Sequence, residues 1–175
     1  MLARYKRVLD RIGAVEQALG IGLILLIVTA ITVQVFTRYA LNRPIAWVEE
    51  SATYAFIWMV FVGASVGLKQ GRHILIATFG SRLPSRAAAT LRSLVWLLVL
   101  IMLAVLVVQG HKVMGIEGRS QTISLPVELP RSWFYSLPLT LSAVSMALTA
   151  VYLLLQELMI LARRPGSNVP PALSA

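Results

Sequence analysis

The residues of this sequence that could do chemistry are few, and they stand at the edges of long apolar stretches. Glu49 and Glu50 are adjacent, so on a helix their side chains point about 100° apart and do not face each other as a paired acid and base would. Either they interact with the dipole of a helix N-terminus, or one of them pairs with Arg38, Arg43 or a partner protein. No set of nucleophile, base and acid stands out, and we predict that the chain is not an enzyme.

The histidines restrict cofactor chemistry. Only His73 and His111 are present, and they stand at the ends of two different apolar stretches. If these stretches cross a membrane, the two imidazoles lie about 30 Å apart, the thickness of the bilayer core, and cannot ligate one haem iron. The chain has no cysteine, which excludes thiolate metal sites and disulfides. We therefore predict no cofactor and no metal.

Four apolar stretches must position these residues. They run over 17–37, 47–68, 93–110 and 132–156. At about 1.5 Å per helical residue, each is long enough to cross most of the apolar core of a bilayer. The composition agrees, because 58% hydrophobic residues and a mean hydropathy of +0.78 exceed what a soluble domain of this size can bury. We predict an all-α integral membrane protein with four transmembrane helices in one domain, residues 1–164, followed by a disordered tail, residues 165–175.

The N-terminal segment, residues 1–16, is basic and amphipathic. Its apolar side chains fall on one side of a helical wheel (Leu2, Tyr5, Val8, Leu9, Ile12, Val15) and its basic side chains on the other (Arg4, Lys6, Arg7, Arg11). This pattern is typical of an amphipathic helix that lies in the cytoplasmic headgroup layer. The alternative is a solvated basic tail that only sets the topology. No small-residue cleavage site follows at the usual place, so we do not expect a signal peptide.

The interiors of the four stretches contain no Asp, Glu, Lys, Arg or His. A proton relay or an ion-coupled carrier normally needs an ionisable residue or a broken helix at membrane depth. Pro138, early in the last stretch, either kinks that helix or marks its true start, and it has no counterpart in another stretch. We therefore predict that the chain does not carry a polar solute by itself.

The net charge of +9 sits mainly between the apolar stretches. This distribution indicates membrane orientation rather than nucleic-acid binding. With four spans, the termini and the middle loop share one side, and most Lys and Arg residues lie there. Both termini are therefore predicted to be cytoplasmic. Residues predicted to contact anionic lipid on that side are Arg4, Arg7, Arg11, Lys69, Arg72, Arg82 and Arg86.

Trp47 and Trp133 fall where an interfacial aromatic belt is expected. Gly63 and Gly67 are four residues apart, a spacing that lets a neighbouring helix approach closely. Trp58 falls deeper, where it is expected to pack against helices or lipid. Given a partner subunit, as the family resemblance described below implies, Trp47, Trp58, Gly63 and Gly67 are the residues predicted to contact it.

Two segments carry a family resemblance. FTRYALNRPIAWVEESATYAFIWMVFVGASVGLKQGRHI (residues 36–74) has an arginine, a short polar turn, a tryptophan-acid helix start, an apolar run, a small-residue patch and a Gly-x-His-Ile close. LPVELPRSWFYSLPL (residues 125–139) has a proline-bounded start of the last helix. In order and spacing they resemble the DctQ-like family, the small membrane subunits of tripartite ATP-independent periplasmic (TRAP) transporters. Four spans, a cytoplasmic N-terminus and the length agree over the whole chain.

The resemblance implies a non-transporting subunit in the bacterial inner membrane. In this family a large membrane subunit carries the solute with sodium ions, and a periplasmic protein captures the solute, typically an organic acid. The small subunit is expected to support the scaffold of the large one and to help dock the periplasmic protein. The residues predicted to dock that protein or to hold the outer turns are Arg38, Arg43, Glu49, Glu50, Glu117, Arg119, Glu128 and Arg131.

Two other classes stay open from the residues alone. One is a membrane anchor of a quinone-linked redox enzyme, because quinone sites have no reliable sequence mark. The other is a small carrier or channel that works by itself.

Overall fold

Four long helices dominate the part of the chain that the computed structural model describes, residues 2–70 and 85–162. They are α1 (Leu2–Ala40), α2 (Ala46–Lys69), α3 (Ser85–Glu117) and α4 (Ser136–Ala162), and a short 3-10 helix (Arg131–Trp133) precedes α4. All four are long and apolar enough to cross a membrane. The prediction of an all-α chain with four helices long and apolar enough to span a membrane is therefore confirmed. The predicted tail, 165–175, lies outside the described residues.

The N-terminal segment does not form a helix of its own. Residues 2–16 are the first turns of α1, which continues without a break to its C-terminal end, because no proline interrupts it. Part of the amphipathic face is covered by α4. Leu9 is only 7% exposed, the hydroxyl of Tyr5 donates a hydrogen bond to the Leu148 carbonyl (2.8 Å), and the Tyr5 ring stacks on Tyr152. The structure thus shows no separate interfacial helix at this position.

Pro138 marks the start of the last helix. α4 begins at Ser136, so Pro138 lies in its first turn, where the missing N–H would have no helical partner in any case. Of the two possibilities open from the sequence, the proline accompanies a helix start and not a mid-helix kink. Both residues are fully buried.

The helices pack as two antiparallel hairpins joined through α2 and α4. α1 lies on α2, α3 lies on α4, and α2 lies on α4. Leu103, Ala143 and Ala150 form a core between α3 and α4. Gly110 permits their close approach, because a Cβ there would lie 2.9 Å from the Thr140 Oγ1. Within the described ranges α1 and α3 do not pack on each other, so they form the two edges of the molecule, and most of their apolar side chains are exposed.

The two hairpins are offset along the helix axes. The ring of Tyr54, in the third turn of α2, stacks on Phe134 just before α4, with 4.1 Å between centroids. Lys69, the last residue of α2, reaches Ser145 in the third turn of α4. α4 therefore runs parallel to α2, begins beside its interior and continues well past its end. This offset decides which polar residues of the hairpins meet.

Candidate functional site

The turn between α1 and α2, residues 41–45, is held by buried polar groups of α1. Gln34 is 8% exposed, and its Oε1 accepts a hydrogen bond from the Ile45 backbone N–H (3.3 Å). The Thr37 carbonyl accepts another from the Arg43 N–H (3.1 Å). Asn42 adopts a φ of 50°, a left-handed conformation that asparagine tolerates better than most residues. The turn is therefore tight and its backbone groups are paired.

An exposed ion pair spans this turn. Arg38 Nη2 lies 3.1 Å from Glu49 Oε2, and the two side chains are 49% and 64% exposed. Gln34 Nε2 also donates to the same carboxylate oxygen (3.4 Å). Of the two arginines considered from the sequence, Arg38 is thus the one that meets Glu49. Because water surrounds both charged groups, such a pair contributes only about 0–1 kcal/mol.

Glu50 makes a different set of contacts and joins the two hairpins. Its carboxylate accepts hydrogen bonds from the Tyr54 hydroxyl (2.5 Å) and from the backbone N–H groups of Ile123 (3.0 Å) and Ser124 (2.5 Å). Tyr54 is one turn further along α2, so both side chains lie on the same face. We call Glu50, Tyr54, Ile123 and Ser124 the Glu50 cluster. It fastens the connector between α3 and the 3-10 helix, residues 118–130, to the start of α2.

The connector also has an internal fold. Thr122 N–H donates to the Leu129 carbonyl (3.0 Å), and Arg131 N–H donates to the Ser120 carbonyl (2.9 Å), which makes a short hairpin-like loop. The Thr122 hydroxyl donates to the Val127 carbonyl across the same loop (3.0 Å). We call the end of the bundle that carries this connector and the α1–α2 turn the connector end.

Aromatic residues at the end of the connector and in α2 pack against one another. Tyr135 meets the edge of Tyr54, with 5.8 Å between centroids, and the Arg131 guanidinium lies 5.3 Å from the centre of the Tyr135 ring. Trp58 Nε1 donates to the Trp133 carbonyl (3.2 Å). The Ser136 hydroxyl donates to Glu117 and so ties the end of α3 to the start of α4. Arg131 and Glu117 are therefore engaged within the chain.

Three of the predicted docking residues remain directed to solvent. The side chains of Arg43, Arg119 and Glu128 are exposed. No hydrogen bond or ion pair joins these side chains to the residues that the structure describes. They lie on segments whose backbones are held by the contacts above. These three residues thus place two cations and one anion on an ordered surface of the connector end.

The structure also brings together a buried ion pair that the sequence reading did not find. Lys69 Nζ lies 2.6 Å from Glu16 Oε2, and the side chains are only 10% and 14% exposed. Ser65 of α2 and Ser145 of α4 complete the group, which we call the Glu16 cluster. Glu16 and Lys69 stand just outside the stretches 17–37 and 47–68, so in the sequence they look like boundary charges. One feature of the sequence could have indicated the pair. Two consecutive apolar stretches of similar length form an antiparallel hairpin, which brings the start of 17–37, beside Glu16, close to the end of 47–68, beside Lys69.

The predicted subunit-contact residues lie in different environments. Trp47 is 48% exposed, whereas Trp58 is half-buried and bonded to the 3-10 helix. A Cβ on Gly63 would meet nothing within 4 Å, so the space beside this glycine is open. Gly67 is half-buried. Contact of these residues with another subunit stays a prediction.

The predicted lipid contacts divide similarly. Arg4, Arg7 and Arg11 are exposed along the first turns of α1. The ammonium of Lys69 is instead engaged in the Glu16 cluster. Arg72, Arg82 and the side chain of Arg86 lie outside the described part of the chain, as does His73.

Comparison with known proteins now assigns the chain. Residues 27–159 match the family described as "Tripartite ATP-independent periplasmic transporters, DctQ component". The chain belongs to the DctQ family. This small permease subunit is therefore a component of a TRAP transporter in the inner membrane, and not an enzyme. A tripartite transporter implies two partners, a large permease and a periplasmic binding protein.

Individual relatives agree with the assignment. The small permease is 30% identical over 128 residues to the sialic acid TRAP transporter small permease protein SiaQ of Vibrio cholerae, covering 73% of each chain. It is 28% identical over 85 residues to a putative TRAP transporter small permease protein of Haemophilus influenzae, 49% of this chain and 53% of the relative. It is 33% identical over 81 residues to the C4-dicarboxylate TRAP transporter small permease protein DctQ of Vibrio cholerae, 44% and 35%.

Proposed function

We propose that this small permease supports the membrane scaffold of the large permease and helps dock the periplasmic binding protein during sodium-coupled uptake of an organic acid. The observation that carries the docking role is the set of three exposed, unengaged charges at the connector end, Arg43, Arg119 and Glu128, on a surface held in place by the Glu50 cluster. Charged side chains on a preordered surface favour rapid and selective encounter with a soluble partner.

The topology required by this role places both termini in the cytoplasm and the connector end in the periplasm. The basic residues support it, since Arg4, Arg7 and Arg11 lie at the opposite end of the molecule from the connector. The exposed basic face of α1 suits contact with anionic headgroups of the cytoplasmic leaflet.

The scaffold role is supported by the edges of the molecule. α1 and α3 expose large apolar side chains along their lengths, for example Leu25 at 63% and Met102 at 62%. A multi-pass partner and lipid can share such faces. The substrate class rests on the named relatives, because sialic acid and C4-dicarboxylates are both organic acids.

The docking role is testable by charge reversal. The variants R43E, R119E and E128K are each assembled with the large permease in nanodiscs, and binding of the purified periplasmic protein is measured at low and physiological salt. Each reversal should weaken binding roughly threefold to tenfold, the effect of losing a contact worth about 1 kcal/mol, and more strongly at low salt. Co-purification of the two membrane subunits should not change.

The matched control is R7E, the same change of charge at the opposite end of the molecule. It should leave binding of the periplasmic protein unaltered. Wild-type binding by all three connector-end variants would remove the docking role and leave the scaffold role to stand alone.

A further inference from the structure

The hydrogen bonds of the Glu16 cluster form a closed set. Lys69 Nζ donates to Glu16 Oε2, to Ser145 Oγ (2.7 Å) and to Ser65 Oγ (3.4 Å), which uses all three ammonium hydrogens. The two hydroxyls donate in turn to Glu16 Oε1, Ser145 at 2.6 Å and Ser65 at 3.1 Å. Every charged or polar group of the cluster is therefore satisfied by another member.

This arrangement distinguishes a structural element from a transport site. An ionisable residue at membrane depth marks a functional site by default. A solute or proton path, however, needs a group that can exchange partners with something that moves, whereas here each charge has an opposite charge and each hydroxyl both donates and accepts. Ser65 is fully buried and Ser145 is 8% exposed, so the hydroxyls are shielded as well.

The residues of the Glu16 cluster come from three of the four helices. Glu16 belongs to α1, Lys69 and Ser65 to α2, and Ser145 to α4. The cluster bounds the apolar stretches of α1 and α2, but it meets α4 near the middle of the stretch 132–156.

The chain also leaves room for this contact. Gly13 lies one turn before Glu16 on α1, and a Cβ there would come within 3.3 Å of Lys69 Cδ. The absence of a side chain at residue 13 thus lets the lysine stem pass between α1 and α2. The missing side chain of Gly13 and the hydrogen bonds of the Glu16 cluster therefore both help to place Lys69 between α1 and α2.

We infer that Glu16, Lys69, Ser65 and Ser145 set the axial offset between the α1–α2 hairpin and the α3–α4 hairpin. The hydrophobic effect does not favour one register of two helices in lipid over another, because lipid tails are as apolar as the side chains. The Ser145 hydroxyl specifies one offset, because a shift of one hairpin along the other would take it out of reach of Lys69 Nζ and Glu16 Oε1 and leave both charged groups short of a buried hydrogen bond. The offset in turn holds the first turns of α1 against α4 and the connector against the start of α2.

The test measures the offset directly. The chain has no cysteine, so L41C in the α1–α2 turn and K112C in α3, both exposed in the wild type, accept spin labels cleanly. Their separation is measured by double electron–electron resonance in the complex with a cysteine-free large permease. The parent chain should give one narrow distance. E16K and K69E should each broaden or shift it, and the double variant E16K/K69E should restore the parent distance by re-forming the ion pair.

The matched control breaks the Arg92–Glu157 pair (2.8 Å), which joins α3 to α4 and, in the described part of the chain, has no hydrogen bond to the other hairpin, unlike the Glu16 cluster with its bonds to Ser145. R92E should leave the distance between the hairpins unchanged. An unaltered distance in both single reversals, or a double variant no better than the singles, would overturn the inference.

Milder variants cover the case in which a single reversal prevents folding. An unpaired buried charge is expected to lower the accumulated protein to about a tenth of the parent amount or less. If E16K or K69E behaves in this way, the double variant should accumulate to most of the parent amount. S145A and G13V add no charge and should still broaden the distance, one by removing a hydroxyl and the other by displacing the Lys69 stem. Parent-like distances in both of these variants would also overturn the inference.

Discussion

The α1–α2 hairpin carries an ion pair at each end, and the two pairs differ in almost every physical respect. Arg38–Glu49 spans 3.1 Å with both side chains about half exposed or more. Glu16–Lys69 spans 2.6 Å with both side chains nearly buried, and hydroxyls from two helices complete it. The first pair has water as an alternative partner and the second does not. A pair of a basic residue and a glutamate can therefore serve as an exchangeable surface contact or as an obligatory internal one.

This difference matters for the assignment of roles. Exposed charges at the connector end are available to a soluble partner, because breaking their contacts within the chain costs little. The charges of the Glu16 cluster are not available to a soluble partner, because they are nearly buried and each is hydrogen-bonded to other members of the cluster. The Glu50 cluster lies between the two cases, with a half-exposed carboxylate that binds backbone N–H groups of the other hairpin.

The largest effect is expected when Lys69 loses its charge. Lys69→Met keeps the length of the side chain but leaves Glu16 buried and unpaired, which costs about 3–5 kcal/mol. Thermal unfolding of the purified subunit, followed by tryptophan fluorescence, should show a large drop in midpoint.

The double variant E16Q/K69M is the control for that prediction. Since it removes both charges, it should recover a substantial part of the loss. A Lys69→Met midpoint no lower than that of R38A would contradict the contrast between the two pairs.

A smaller effect is expected when Glu50 is removed. Glu50→Ala frees the Tyr54 hydroxyl and two backbone N–H groups, and each lost hydrogen bond to a charged group is worth about 1.5–3 kcal/mol before water replaces it at this half-exposed site. The loss should appear locally, as faster amide hydrogen exchange over residues 118–130, with little change at the α3–α4 core.

Glu128→Ala serves as the comparison for Glu50, because it removes an exposed carboxylate from the connector itself. It should leave exchange over the same residues unchanged. Equal exchange in the two variants would mean that the connector is held by its internal fold alone.

The smallest effect is expected at Arg38. Arg38→Ala should lower stability by less than about 1 kcal/mol, and the difference from wild type should shrink further in high salt, because the pair is exposed and screened. The measurement is thermal unfolding at low and high ionic strength. A salt-independent loss of several kcal/mol would show that the α1–α2 turn depends on this pair far more than its exposure indicates.

Much of the architecture could be predicted from the chain alone. Long runs without charge can be placed nowhere but in lipid, and a helix satisfies its own backbone there, so the four spans and the helical class followed directly. The proline at residue 138 narrowed the start of α4 to two choices. An ion pair across the α1–α2 turn could also be predicted, because a short turn brings the ends of antiparallel helices together. The sequence offered Arg38 or Arg43 as the partner, and the structure shows Arg38 with Glu49.

Only the tertiary structure decided which charged residues make contacts within the chain and which remain exposed. Local sequence cannot tell that residues 2–16 continue α1 and pack on α4, because an amphipathic face suits a headgroup layer and a helix surface equally well. Nor can it tell that Glu50 reaches the backbone of residues 123 and 124, which lie far along the chain. Both depend on the offset between the hairpins, and apolar periodicity carries no information about axial offset.

The sequence by itself thus determined the four apolar spans, their helical class and the membrane as their solvent, since hydrophobic transfer depends only on which side chains are present and in what runs. Only the tertiary structure decided that Glu16 and Lys69, two apparent boundary charges, close on Ser145 in the middle of another span. The physical reason is that an ion pair forms between groups that are close in space, and closeness between distant segments is a property of the packed helices, not of any one of them.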